Sequence, residues 1–309
     1  MAARDLRIVC WNADGLLQRQ DELKYYLEHE KIDICLISET HFNNQSYLKL
    51  NGYKVYHTVH PNNNGWGGSA ILIKQNIIHY EDIKYQTQGI QASTIVVKCQ
   101  HTDITVSAIY CPPRNNLKKC DYLAFMKQLG ETFVIGGDFN AKHTHWGSRL
   151  TLTRGRELLE AALEMKCNFH STGKPTYWPT DHSKIPDLID FFITRNISSN
   201  YIKIEEADDL FSDHSAILMT LSDKVILKEA APHLSNKSTN WEGFKISLEN
   251  RIDLKTSIKT NEELDFEVNK FITDIQQSAW ENTQEIKNRL KGWNLPKEIK
   301  ELVQEKKER

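Results

Sequence analysis

An apolar strand that runs into Gly136-Gly137-Asp138-Phe139-Asn140 sets an acid and, two residues on, an amide at a sharp turn. At strand spacing both side chains are expected on one side. An Asp there can accept a proton from water, and an Asn can hold that water or a phosphate by hydrogen bonds. The competing account is an ordinary Asp/Asn turn. Ser212-Asp213-His214-Ser215 puts an acid and an imidazole side by side before an apolar strand. That pairing suits metal or phosphate work, and a strand-opening loop with a surface histidine is the alternative. Glu39, in Ile37-Ser38-Glu39-Thr40-His41, is a carboxylate where an apolar strand emerges. Asn12, in Cys10-Trp11-Asn12, stands at another strand end, and Asp190 interrupts the apolar run Leu188–Ile193. A buried Asp needs a partner such as a cation or a histidine. Tyr110 precedes Cys111-Pro112-Pro113, where the prolines stop a strand and leave the phenol free to face a pocket. Together these residues are what hydrolysis of a phosphodiester by a hard cation requires.

The elements that must position them follow from hydrophobic periodicity. Leu6–Trp11, Ile32–Ser38, Tyr53–Val59, Ser69–Lys74, Ile95–Cys99, Ile104–Tyr110, Phe133–Gly136, Leu188–Thr194, Tyr201–Glu205 and Ala216–Leu221 read as strands. Leu16–Glu30, Tyr122–Leu129 and Arg154–Met165 read as helices, and Pro61–Gly65 as a turn. Many strands and few helices, in mixed order, predict an α/β fold with sheet-on-sheet packing and helices outside. The character changes after Leu221. Residues 222–309 carry as many Lys and Arg as Asp and Glu, with Leu264, Val268, Phe271, Ile272, Ile275 and Ala279 at helical spacing. Asn240 is placed to cap a shorter helix ending near Ile252. We read 5–221 as the catalytic domain and 222–309 as a helical extension or linker, with a solvated surface layer of the main domain as the alternative. Glu301–Arg309 is a charged run that nothing would bury.

The 309 residues are 39% hydrophobic and 26% charged, with a formal net charge of −2. Such a chain can bury a sizeable core. It lacks the overall basic charge for gripping nucleic acid over a wide area, so any basic contact surface must be local. Lys142, His143, His145, Arg149, Arg154 and Arg156 follow the Gly-Asp-Phe-Asn turn and are candidates for it, against a plain solvated basic surface. Trp66, Trp146 and Trp178 lie in loop-like segments and could wedge against bases, or form local core. The six cysteines form no CxxC pair, which points to reduced thiols in an intracellular protein. The N-terminus shows no signal-peptide hydrophobic region, and no apolar run suffices to span a bilayer, so no membrane partner is expected.

The order Trp-Asn, Ser-Glu-Thr, Tyr-x-Pro-Pro, Gly-Asp-Phe-Asn, Ile-Asp-Phe, Ser-Asp-His resembles the endonuclease/exonuclease/phosphatase superfamily across roughly residues 5–221. Within it the chain looks most like the endonuclease domain of jockey-type non-LTR retrotransposon polyproteins. Ser38-Glu39-Thr40-His41 is the retrotransposon form, where abasic-site endonucleases usually carry Gln-Glu-Thr-Lys. Gly67-Gly68-Ser69-Ala70, Asn140–His143, Trp146-Gly147-Ser148 and Arg154-Gly155-Arg156 match as well. The stretch from Asn240-Trp241 to Ala279 resembles the connector that precedes the reverse transcriptase.

The resemblance implies a four-layer sandwich, two mixed β-sheets packed face to face with helices outside, plus the C-terminal helical extension. It implies that Glu39, supported by Asn12, holds Mg²⁺, with Mn²⁺ as a substitute, and that Asp213 helps with metal or water. Asp138 would orient or deprotonate the attacking water and Asn140 would fix it. His214, held by Asp190, would stabilise the charge on the scissile phosphate, and Tyr110 would contact the phosphate or the leaving oxygen. Thr176 and Ser212 would contact phosphate, as Arg154 and Arg156 would contact DNA. The product would be a nick in double-stranded DNA with a free 3′-hydroxyl, made in the nucleus. A reverse transcriptase domain in a longer parent polyprotein is the expected partner. Asp14 departs from the pattern, because related elements often carry an uncharged residue there. No polymerase motif occurs in the chain, which leaves a fragment, a relic or a separate protein open. Two other readings stay open. One is an abasic-site endonuclease or other phosphoesterase of this fold, since substrate choice lives in loops such as 60–67, 142–153 and 174–186. The other is a catalytically silent nucleic-acid- or protein-binding relic.

Overall fold

A computed structural model describes residues 5–99, 102–181, 183–207, 210–226, 234–253, 258 and 260–283. The charged run Glu301–Arg309 lies outside them. In chain order the elements are β1 (Leu6–Asn12), α1 (Gln20–His29), β2 (Ile34–Ser38), β3 (Tyr53–Thr58), β4 (Ser69–Lys74), β5 (His79–Glu81) and β6 (Tyr85–Gln86). Next come β7 (Gln91–Val97), β8 (Ile104–Tyr110), α2 (Lys119–Gln128), β9 (Phe133–Asp138), α3 (Thr153–Glu164) and β10 (Asn168–His170). The last are β11 (Asp190–Arg195), β12 (Ile202–Glu206), β13 (Ile217–Leu221), α4 (Trp241–Arg251) and α5 (Asn261–Glu281). Two compact units emerge, Met1–Lys228 and Glu229–Arg309.

The first unit holds both sheets. One runs β12-β13-β1-β2-β4-β3, the other β10-β11-β9-β8-β7-β5 with β6 paired to β7. Each has one parallel pair, β1 with β2 and β8 with β9. A parallel pair needs a crossover, and α1 and α2 supply it. Strand alternation then builds the layers. Ile8, Cys10, Ile34 and Leu36 pack inward with Ala108, Val134 and Phe192 of the other sheet. Val9, Trp11, Cys35 and Ile37 face the opposite way, onto Leu23 and Leu27 of α1. Phe133, Ile135, Phe191 and Ile193 meet Tyr122, Phe125, Leu158 and Ala162 of α2 and α3. Both faces of the central strands are covered, so their sequences read as unbroken apolar runs. The result is the expected four-layer α/β sandwich.

β7 begins at Gln91, four residues before the expected Ile95. Its first half is polar yet buried, with Ser93 and Thr94 bonded to the hydroxyls of Ser69 and Ser107. Hydroxyl pairing inside the sandwich hid that half from hydrophobic periodicity. Trp146, a candidate wedge, is core instead. It is 2% exposed and stacks on Phe169 and Phe191 with centroids 4.9 Å away in both cases.

In the second unit Asn240 caps α4 by accepting from the Gly243 N–H (3.0 Å). Thr260 and Glu263 form a capping box on α5. Arg251 of α4 pairs with Glu281 of α5 at 2.7 Å. Among the described residues no helix is long and apolar enough to cross a membrane.

Ser38 ties the two sheets together where β2 ends. Its buried hydroxyl accepts the Asp138 N–H (3.0 Å) and donates to the Ile109 carbonyl (2.9 Å). Gly137 allows β9 to come this close to β8, since a Cβ there would lie 1.9 Å from the Ile109 oxygen. Ser38→Ala would leave a buried donor and a buried acceptor unpaired. It is expected to cost about 2–3 kcal/mol in urea unfolding, whereas a loss under 0.5 kcal/mol would refute the bridge.

Candidate active site

The strand ends carrying the candidate residues meet at one edge of the sandwich. Asn12 ends β1, Glu39 follows β2, Tyr110 ends β8, and Asp138 ends β9. Antiparallel β11 begins at Asp190, in register with Asp138, and His214 lies three residues before β13. Tyr110 is in register with Asp138 on its other side. Past their strands the β1 and β2 loops stay zipped, with Ala13, Gly15 and Leu16 N–H groups bonded to the carbonyls of Ser38, Glu39 and Thr40. Asp14, Glu39, His41 and Asn140 adopt left-handed backbone conformations, with φ of 42°, 52°, 53° and 46°. Such strain in non-glycine residues persists only where neighbours over-determine it; the zipper does so around Asp14 and Glu39, and the bonds to the Asp138 carboxylate do so for Asn140.

The centre is a buried charge cluster. Asp138 and Asp190 are both 0% exposed. His214 Nδ1 lies 2.8 Å from Asp190 Oδ2, which also accepts the Thr176 hydroxyl at 2.8 Å. The Asn12 amide donates to Glu39 (2.8 Å) and to Asp138 (3.0 Å). Asn140 gives its N–H to Asp138 Oδ1 (2.7 Å) and its amide to Oδ2 (3.0 Å). β9 stops at Asp138, so Asn140 reaches the Asp138 carboxylate through a left-handed turn and not by the expected strand alternation.

Burial, with the neighbouring charge of Asp190, raises the Asp138 pKa well above the carboxylate range; His214 opposes the rise. Burial works against a charged His214, yet the charge and hydrogen bond of Asp190, with Asp138 and Asp213, lift its pKa to about 10. Burial also pushes Glu39 up, but hydrogen bonds to His41 and Asn12 outweigh it and hold the carboxyl below its usual value. Burial and the charges of Glu39 and Asp138 raise the Tyr110 phenol, which stays protonated.

Two groups of side chains bring metal-ligating atoms within 4.8 Å of one another: Glu39 with Asp138 and His214, and Asp14 with Glu39 and His41. The donors are carboxylate oxygens and imidazole, in a site that buries two Asp side chains outright. Asp190 Oδ1 is buried with no hydrogen-bond partner among the described residues. Carboxylates in excess of imidazoles in both groups fit a hard divalent cation.

The structure thus brings together Asn12, Glu39, Tyr110, Asp138, Asn140, Asp190 and His214. It also shows where the other candidates place their polar atoms. Asn12 turns its amide nitrogen to the carboxylates, and its Oδ1 accepts the Asp14 N–H (3.0 Å). Asp213 belongs to neither metal-ligating group. The Thr176 hydroxyl is consumed by Asp190 and the N–H groups of Ile189 and Asp190, which makes it a clamp on that acid. The single Ser212 hydroxyl proton is shared between the Asn12 and His214 carbonyls, and Oγ accepts from Trp11 Nε1 and the His214 N–H, so it builds the loop. The Arg154 guanidinium is taken up by backbone carbonyls, and Arg156 is exposed. Lys142 pairs with buried Asp187 at 3.0 Å, which breaks up the expected basic cluster. Sequence reasoning gave no role to His41, bonded to Glu39 (3.4 Å), or to Tyr177, whose ring lies 4.9 Å from that of His214. His41 sits inside a quoted motif and Tyr177 follows the candidate Thr176, and only the folded loops turn them toward the cluster.

Comparison with known proteins places the chain in a family and its fold among solved structures. The family described as Endonuclease/Exonuclease/phosphatase matches residues 9–214. The chain is 30% identical over 305 residues to the probable RNA-directed DNA polymerase from transposon BS of Drosophila melanogaster, covering 97% of this chain and 34% of that protein. It is 28% identical over 279 residues to the RNA-directed DNA polymerase from mobile element jockey of Drosophila funebris, covering 90% and 30%. The chain therefore spans about a third of the length of these relatives. The fold is shared with the endonuclease domain of TRAS1, a telomere-specific non-LTR retrotransposon, at TM-score 0.58 and 21% identity, over 71% of this chain and 99% of that one. It is shared too with the AP endonuclease LMAP from Leishmania major, at TM-score 0.56 and 12% identity, over 72% and 89%.

The Asp190–His214 pair makes a prediction for metal-free protein. Because the folded imidazole is raised, the pair's contribution to stability is complete below an unfolded histidine's pKa of about 6.5. It fades as the pH climbs to about 10. Asp190→Asn should lower the His214 pKa in an NMR titration and flatten that pH dependence. An unmoved titration would show that Asp190 is not its cause.

Proposed function

The chain belongs to the endonuclease/exonuclease/phosphatase family, and we propose that it is a Mg²⁺-dependent endonuclease that nicks one strand of double-stranded DNA. The observation that carries this reading is the buried Asp138–Asp190–His214 cluster joined to Glu39 through Asn12. Asp138, its proton affinity raised by burial, accepts a proton from water while Asn140 holds the carboxylate in place. The water oxygen forms a bond to phosphorus, and the bond from phosphorus to the 3′-oxygen breaks. His214, charged and oriented by Asp190, stabilises the negative charge that grows on the phosphate oxygens. The protonated Tyr110 phenol is a hydrogen-bond donor for the phosphate or the leaving oxygen. Glu39 and the ligand atoms around it would hold Mg²⁺, or Mn²⁺ in its place, which when bound neutralises phosphate charge. The products are a 3′-hydroxyl and a 5′-phosphate.

Similarity to RNA-directed DNA polymerases of mobile elements supports a DNA substrate and a purpose for the nick. The 3′-hydroxyl would prime reverse transcription by a polymerase domain of a longer parent polyprotein, at DNA in the nucleus. In this reading residues 5–221 carry the chemistry and 222–309 form the extension toward that polymerase.

Supercoiled plasmid is expected to be nicked with Mg²⁺ and left intact with chelator. Asp138→Ala and His214→Ala should each slow nicking by about 10²–10⁴-fold. Folded wild-type protein that leaves the plasmid supercoiled would sink the proposal. A large preference for a duplex with an abasic site would instead assign the same chemistry to repair.

A further inference from the structure

Arg154 lies in the first turn of α3 and is half-buried. Its guanidinium donates to the carbonyl oxygens of Cys111 (3.3 Å), Pro112 (2.9 Å) and Pro113 (3.1 Å), and to that of Asn115. These carbonyls belong to the loop that directly follows Tyr110. The prolines take that loop off the sheet ladder, and only a few backbone bonds, such as Asn115 N–H to the Pro112 carbonyl, replace it. A planar fork of five N–H donors can hold several carbonyls at once, which an ammonium cannot do in the same geometry.

The same helical turn grips a second loop. Leu152 N–H bonds to the Lys142 carbonyl (3.0 Å), and a Cβ on Gly155 would lie 2.0 Å from that oxygen. Lys142 follows Asn140 by two residues. The two loops meet again where the Cys111 N–H bonds to the Asp138 carbonyl (2.9 Å). The first turn of α3 is thus fastened to the loop behind Tyr110 and to the loop behind Asp138 and Asn140.

We propose that Arg154 is a positioning residue, which sets Tyr110 against Asp138 by holding the loop behind Tyr110 on the start of α3, where the Leu152 N–H and Gly155 receive the loop behind Asn140. This rests on the nuclease reading of the site. It assigns Arg154 a task different from that of Arg156, whose exposed side chain in the same turn remains free to meet a DNA backbone.

Arg154→Lys and Arg154→Ala test it, compared with wild type in two measurements. In hydrogen–deuterium exchange both variants should lose protection in residues 111–117, with β1 and α1 unchanged. Unchanged protection of that loop in the Lys variant, which keeps the charge and the stem, overturns the proposal. In plasmid nicking kcat should fall about 10²-fold, as for a slight misplacement of reacting groups, with KM within about twofold. The salt dependence of KM should stay that of wild type. A raised KM with a salt slope reduced by about one, rescued by Lys, would identify a phosphate contact and overturn the proposal. Wild-type protein that does not nick refutes the nuclease reading, and the exchange measurement still decides whether Arg154 holds the loop behind Tyr110.

Discussion

Asp138 and Asp190 face each other across a register pair, both sealed from solvent. Two carboxylates that close cannot both ionise freely without compensation. The protein offsets them with the one imidazole of His214, with Thr176 on Asp190 and with the amides of Asn12 and Asn140 on Asp138. The compensating groups come from separate strand ends and loops. The requirement to keep this charge cluster satisfied therefore constrains where β1 and β9 stop, where β11 and β13 start, and how the adjoining loops run. Removing one partner would strand a charge in the interior, at a cost of about 3–5 kcal/mol.

The cluster also bears on the loops after β1 and β2, which stay bonded to each other past their strands. Glu39 must stand beside Asn12 and His41 in a backbone conformation that glycine would adopt more readily. Backbone bonds from Ala13, Gly15 and Leu16 hold it there. Stability and chemistry are thus bound together, since the bonds that keep the strand ends aligned also hold the reactive groups apart at working distances.

Much of the arrangement was legible in the sequence. Buried strands such as Ile34–Ser38 and Phe133–Asp138 are apolar on both faces because both faces are covered, and their polar ends stand out for that reason. Asp190 was conspicuous as an acid in an apolar run. What stayed hidden was decided by where side-chain atoms point. Thr176, Ser212 and Arg154 have phosphate-binding chemistry, yet each spends its polar atoms on the protein's own backbone or acids. The polar half of β7 escaped notice because hydroxyl pairing, not apolar contact, buries it. His41 and Tyr177 enter the site only through the turn of a loop, which no residue periodicity encodes.

Asn12, Glu39 and His214 belong to the first sheet and its loops; Tyr110, Asp138, Asn140 and Asp190 belong to the second. Neither sheet holds a complete site, and Ser38 is the rivet between them. Heredity therefore acts on the site as on a two-part lock. A segment exchanged between related chains preserves it only if the donor's inner layer sets the same spacing between sheets. Loops outside that layer can diverge in length and composition, and so retarget the chemistry, while the two halves must change together or hardly at all.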